Sequence, residues 1–394
     1  MSEKEMVQIF RIKSLFIAIV ILLSLARAGE AKIRNVIIMI GDGMGFEQVK
    51  AASLYAYGED ANLPFEEFYR GEVTTHSANS YKKDHYTDSA ASGSAMATGQ
   101  KFNNEVISEI SRKPVKTILE SLKEKGIATG LVTTVPITHA TPASFGAHAR
   151  KRDRYSDIAN DYMTQSRPNI LFGAYYKNEK GMTEAKALKG GYKVVKTRED
   201  MMRAVWTTSM NSTQEVFIAG LFCPDGMPWE YDYYHQLKHP LSDDIKNQTP
   251  TYTTIPHLSE MASAALMILS NDPDGFFLMV EGGKIDWSGH DNIIEDNVYE
   301  TLEFARTFQV VYDWAKTRND TLLIVTADHE CGGLKVMKER RKGLMPEVFW
   351  ATDDHTGANV PIYVVGEGAE EFSGAAGVID NTQIYKITME LVEK

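Results

Sequence analysis

At 394 residues the chain can bury a large core, as one big α/β domain or two ordinary ones. With 43% apolar and 24% charged residues and no low-complexity tract, it has the composition of a soluble globular protein and not of a disordered or fibrous one. Its net charge of −11, from 42 basic and 53 acidic residues, argues against nucleic acid or an anionic membrane as the main partner.

The first element read from the N-terminus is a leader. Arg11 and Lys13 precede the uncharged apolar run Leu15 to Leu25, and Ala26-Arg27-Ala28 places small residues where a signal peptidase reads them. The run is too short to span a bilayer, which takes roughly 20 residues. Residues 1–28 are therefore expected to be a signal peptide, leaving 29–394 as a protein exported to the periplasm or beyond.

The next run, Val36–Ile40, ends abruptly at Gly41-Asp42-Gly43. The glycine spacing is not that of a dinucleotide-binding turn, and Asp42 would repel a pyrophosphate. A carboxylate between glycines at a strand end suits a metal, although a tight turn with a solvated Asp would read the same way. In Tyr86–Gly99, Asp88 or Ser89 can cap a helix of small residues. Ser89 then sits in the positive end of the dipole, where backbone N–H groups can receive a phosphoryl group. A serine nucleophile needs activation, and no Gly-x-Ser-x-Gly elbow surrounds it, so a metal is the economical activator.

Further along, Val115–Lys125 and Leu258–Leu269 read as helices. Gly130–Val132, Phe276–Val280, Leu322–Val325 and Pro361–Val365 read as strands buried on both faces. The expected fold is thus α/β, doubly wound, with a mostly parallel central sheet flanked by helices and ligands bound beyond the strand ends. Residues 153–256, rich in Lys, Asn, Tyr and Met, are expected to form in part an insertion or lid. Strand ends also carry Glu281, and Asp328 with His329; Asp286 and His290 lie four apart on one helix face, and His355 adds an imidazole. Together they supply mixed N/O ligands for zinc and oxygen ligands for magnesium. Cys223 and Cys331 are read as free thiols.

These segments occur in a specific order: GDGMG (41–45), TDSAAS (87–92), THATPASFGAHARKR (138–152), EGGKIDWSGH (281–290), TADHE (326–330) and DDHTG (353–357). In that order the chain resembles the alkaline phosphatase family over roughly residues 34 to 390, only loosely between 153 and 256. The resemblance implies hydrolysis of phosphate monoesters through a phosphoserine on Ser89, with two zinc ions and one magnesium. Asp286, His290 and His355 resemble the first zinc site; Asp42, Asp328 and His329 the second; Asp42, Thr141 and Glu281 the magnesium site. Arg152, eleven residues after Thr141, stands at the family spacing for the arginine that grips phosphate. His139 and Trp287 stand where some members carry Asp and Lys, a combination similar to that of marine or cold-adapted bacterial members. The resemblance also implies a homodimer, with a short crown region at 334–352. A sulfatase lacks support because Ser89 is followed by Ala-Ala-Ser, and a diesterase because Thr141 and Glu281 are both present.

Overall fold

The structure, a computed structural model, describes residues 32–80, 85–178, 180–210, 215–235 and 253–394. The leader read at 1–28 lies outside them. No helix among the described residues is long and apolar enough to cross a membrane.

The chain opens with β1 (Asn35–Gly41), α1 (Phe46–Tyr57), β2 (Tyr69–Thr74) and α2 (Ser89–Thr98). Next come β3 (Ala128–Pro136), α3 (Ala140–Gly146), β4 (Ile170–Tyr175), β5 (Lys193–Val195) and β6 (Ile218–Pro224). The short α4 (Glu230–His235) and α5 (Leu258–Leu269) lead to β7 (Phe276–Gly282), α6 (Lys284–Asp291) and α7 (Ile294–Ala315). The chain closes with β8 (Thr321–Thr326), β9 (Val360–Val365), β10 (Val378–Asp380) and α8 (Asn381–Glu393).

All ten strands join one sheet in the order β10-β2-β9-β8-β1-β7-β3-β4-β6-β5. Every pairing is parallel except the two made by β9, which runs against β8 and β2. The near-continuous apolar run at Pro361–Val365 therefore marked burial correctly but not direction, because a strand covered on both faces is apolar whichever way it runs. β1, β3, β7 and β8 are buried along their whole length and carry the core.

Within 153–256, where an insertion or lid is expected in part, three described segments belong to the central sheet. β4 extends the sheet from β3 in parallel, β6 follows, and β5 closes that edge. The helix read at 115–125 shrinks to Ile118–Lys123. Thr117 accepts the Glu120 N–H and Glu120 accepts the Thr117 N–H, which starts the helix there. Residues 334–352 form a two-stranded hairpin, Leu334–Lys338 against Glu347–Trp350.

What matters for chemistry is register. Ile40 lies level with Glu281 of β7 on one side and Thr326 of β8 on the other. Asp42 and Asp328 follow two residues past Ile40 and Thr326, just beyond the level of Glu281.

Candidate active site

The carboxyl ends of β1, β7 and β8 meet the starts of α2, α3 and α6, and the polar residues of six segments converge there. α2 is built from small residues, all ten buried, which lets it sit tight against α3 and α8. Asp88 caps it by accepting the Ala91 N–H at 3.0 Å, and Gly99 at φ 73° ends it. Ser89 is thus the first helical residue, 1% exposed, with its Oγ 3.3 Å from His329 Nε2.

Three ligand-type groups surround it. The first joins Asp286, His290, His355 and Cys331; the second Asp42, Asp328 and His329; the third Asp42, His139 and Glu281. Within each, one donor atom per residue lies within 4.8 Å of the others. α6 brings Asp286 and His290 to one face, with His290 Nε2 3.4 Å from Asp286 Oδ2. The Nδ1–H of His290 donates to the Asp353 carbonyl at 2.6 Å, and that of His355 to the Thr87 carbonyl at 2.8 Å. Both rings therefore present Nε2 to Asp286, the way a metal-binding imidazole is oriented from behind. Gly43 lets the β1 turn pass close to α6: at φ 73°, a Cβ there would sit 2.8 Å from Asp286 Cα. Its N–H donates to Asp328 Oδ1 at 3.1 Å, tying the first two groups together.

The donor set fits cations. Buried polar atoms without a hydrogen-bond partner collect here: both Asp42 oxygens, Thr141 Oγ1, Glu281 Oε1, Asp286 Oδ1, Asp328 Oδ2, and Nδ1 of His139 and His329. Such orphans are rare and costly elsewhere in folded proteins. The electrostatics agree. Burial, then Asp328 and Asp286, push the Asp42 carboxyl well above the usual range. Burial likewise raises Glu281 to about 7 and, with Asp286, Asp328 to about 6. Burial also acts to raise Asp286, but the His290 and His355 imidazoles, each 3.4 Å away, outweigh it and hold that carboxyl well down. His290 is raised to about 9, chiefly by its hydrogen bond to Asp286. Without cations the carboxylates repel one another and take up protons; bound cations would reverse that.

Arg152 stands at the rim, its side chain 25% exposed. Its Nη1 donates to Asp88 Oδ2 at 3.0 Å and its Nη2 to His139 Nε2 at 3.2 Å, which fixes the guanidinium beside Ser89's helix. Burial and the Arg152 charge lower His139 to about 3, so its ring is neutral. Trp287 stands edge-on to His139 with ring centroids 6.2 Å apart, and Gly226 leaves it room.

The residues read from the sequence as metal ligands, nucleophile and phosphate-gripping arginine lie in or beside this cluster. Two contributors were missed. Cys331, weighed only for a disulfide, places its sulfur in the Asp286 group; both cysteines are free and buried. Asp88, read only as a cap, also holds Arg152. Acid–base complementarity within the TDS and ARKR segments was the available signal, but it gives no distance.

Comparison with known proteins finds relatives over most of the chain. The family described as alkaline phosphatase matches residues 33–347. Alkaline phosphatase 3 of Bacillus subtilis is 31% identical, covering 91% of this chain and 89% of its own. Among solved structures, the cold-active alkaline phosphatase of the psychrophile Shewanella sp. superposes with a TM-score of 0.74 at 27% identity, over 91% of this chain and 100% of that one. The enzyme of the Antarctic bacterium TAB5 gives 0.72 at 27%, over 92% and 99%; a His-to-Asp mutant of it is known with Mg bound in the M3 site.

Proposed function

This chain belongs to the alkaline phosphatase family of phosphoric monoester hydrolases, and on that premise we propose that it cleaves phosphate monoesters through a phosphoserine on Ser89. The observation that carries the reading is the position of Ser89: first residue of a buried helix, 3.3 Å from His329 Nε2, which itself lies 3.5 Å from Asp42 Oδ1 and 3.4 Å from Asp328 Oδ2.

Asp286, His290 and His355 would hold one zinc, Asp42, Asp328 and His329 a second, and Asp42, Thr141 and Glu281 a magnesium. When bound, such ions supply Lewis-acid charge to phosphoryl oxygens and lower the pKa of a serine hydroxyl or a water. The chain's own residues do the rest. The dipole and free N–H groups at the start of α2 receive the phosphoryl group and orient Ser89 Oγ towards phosphorus. Arg152, clamped by Asp88 and His139, offers two N–H groups to the equatorial oxygens. The Ser89 oxygen displaces the alcohol, and water then releases phosphate and restores the hydroxyl. In a loose transition state, positioning and charge neutralisation carry most of the acceleration. With those cations bound, a net-negative protein would present a locally positive pocket to an anion.

His139 shares a ligand-type group with Asp42 and Glu281, which supports placing it next to the magnesium site, and a His-to-Asp mutant of the TAB5 enzyme binds Mg in its M3 site. Imidazole is a poorer neighbour than carboxylate for a hard ion, so magnesium binds more weakly here than with Asp at that position. Export by the 1–28 leader and assembly as a homodimer belong to the same proposal, on the resemblance alone.

The test is turnover of p-nitrophenyl phosphate and its bis-ester, with zinc and magnesium supplied. Wild type should prefer the monoester, and folded Ser89→Ala should lose at least about 10³-fold in kcat. Diester preference, or full activity in Ser89→Ala, overturns the proposal.

A further inference from the structure

A fourth set of metal-type donors lies outside the residues assigned above. Glu230 opens α4, His257 caps the start of α5, and Glu303 lies within α7; one donor atom of each falls within 4.8 Å of the other two. The two carboxylates are nearly inaccessible, Glu230 at 4% and Glu303 at 5%. The His257 side chain is 21% exposed, and its Nδ1 lies 2.9 Å from Glu230 Oε2. The backbone orients the set: the Ser259 N–H donates to Glu303 Oε1 at 2.9 Å, and the His257 N–H to Glu260 Oε2 at 2.8 Å.

Among the described residues, positive charge falls short of the carboxylates in this cluster. A third carboxylate, Glu300, is buried beside it and accepts the Glu230 N–H at 3.0 Å. The buried cation here, among the described residues, is Lys284, which lies 3.7 Å from Glu300 Oε1, donates to the Met227 carbonyl and rests on the Trp229 ring. Arg198 is engaged by Glu260 at 2.8 Å. Arg306, 61% exposed, comes no nearer to Glu303 than 4.0 Å. With Lys284 set against Glu300, Glu230 and Glu303 share, among the described residues, one imidazole and a solvated guanidinium 4.0 Å from Glu303. Uncompensated buried carboxylates are strongly unfavourable. One dication would neutralise both and leave His257 neutral, the form in which imidazole binds metals.

We propose that Glu230, His257 and Glu303 bind a divalent ion of the zinc class, linking α4, the start of α5 and α7. One imidazole and two carboxylates suit zinc, manganese or cobalt; calcium and magnesium prefer all-oxygen shells. Without the ion the site holds protons instead: burial raises Glu303 to about 7 and, with Glu300, lifts Glu230 well above its ordinary value. The three residues are shared with none of the active-site groups, so the ion ties helices together and takes no part in turnover.

The experiment is metal analysis of the zinc-loaded, dialysed full protein alongside Glu303→Gln and His257→Gln, with diffraction data collected at the zinc edge. Each variant should carry one ion fewer per chain than wild type while keeping p-nitrophenyl phosphate turnover within about twofold. An anomalous peak should lie between the three side chains in wild type only. Equal zinc in all three proteins overturns the proposal. So does a one-ion loss that comes with lost turnover and no peak at this position, since that assigns the ion to the active site. Should Glu303→Gln fail to fold, the part-exposed His257→Gln decides alone.

Discussion

Glu330→Ala should destabilise the protein by about 3–5 kcal/mol and disturb the active site together with the fold. Glu330 lies between His329 and Cys331, 6% exposed, and its two oxygens collect four donors. Oε1 accepts from Gln48 Nε2 at 2.8 Å and from the Leu334 N–H at 3.2 Å. Oε2 accepts from the Gly333 N–H at 3.2 Å and from the Thr356 hydroxyl. Each bond to a charged acceptor contributes about 1.5–3 kcal/mol. Four cannot be summed, because they share one carboxylate and water re-enters the cavity, which brings the expectation down to the range given. Residues 330–331 pair with 355–356, so losing this anchor also frees His355 from its place over Asp286. Glu330→Gln keeps Oε1 as acceptor but turns an amide towards the Gly333 N–H, and should cost about half as much. Urea unfolding followed by tryptophan fluorescence measures the loss, and turnover reports the displaced His355. A Glu330→Ala protein within about 1 kcal/mol of wild type, and fully active, would refute the reasoning.

His139→Asp should lower the magnesium needed for half-maximal reactivation of chelator-stripped protein by about tenfold, and an unchanged requirement would count against a magnesium site beside residue 139. Gly43→Ala forces alanine to φ 73° and drives its Cβ into Asp286, so it should cost at least about 1–2 kcal/mol and most of the turnover; unaltered kinetics would show that the β1 turn does not position Asp286. The His148–Glu120 pair, 2.9 Å apart, gives a pH test. Burial lowers His148, but Glu120 outweighs it and leaves the imidazole raised above 6.5; burial raises Glu120, but His148 leaves it below 4.5. The His contribution is complete below 6.5 and lost as pH rises through the raised value; the Glu contribution is present above 4.5 and lost as pH falls through the lowered one. Glu120→Gln should therefore cost about 1 kcal/mol near pH 5.5 and much less at pH 9, read from urea midpoints; an equal cost at both would exclude the ion pair.

Much of the fold was legible wherever burial on both faces left a continuous apolar run, as at Val36–Ile40, Phe276–Val280 and Leu322–Val325, and the helix 258–269 matches to the residue. β4 escaped because Ile170–Tyr175 is short, interrupted by Gly173 and set among charged residues, so only its pairing with β3 and β6 identifies it as sheet. The active-site residues were legible as types at strand ends, since a parallel sheet delivers such ends to one edge.

What the sequence by itself determined is the inventory: which carboxylates, imidazoles and hydroxyls stand at the ends of apolar runs, and in which order. Those are local facts, carried by composition and periodicity. Only the tertiary structure decided who meets whom. Asp88 reaches Arg152 across 64 positions and Ser89 reaches His329 across 240. Cys331 enters the Asp286 group, and Glu230, His257 and Glu303 come together from three helices. Side-chain contacts between distant segments depend on sheet order, register and helix placement, which the packing of the whole core sets and no short window of residues encodes.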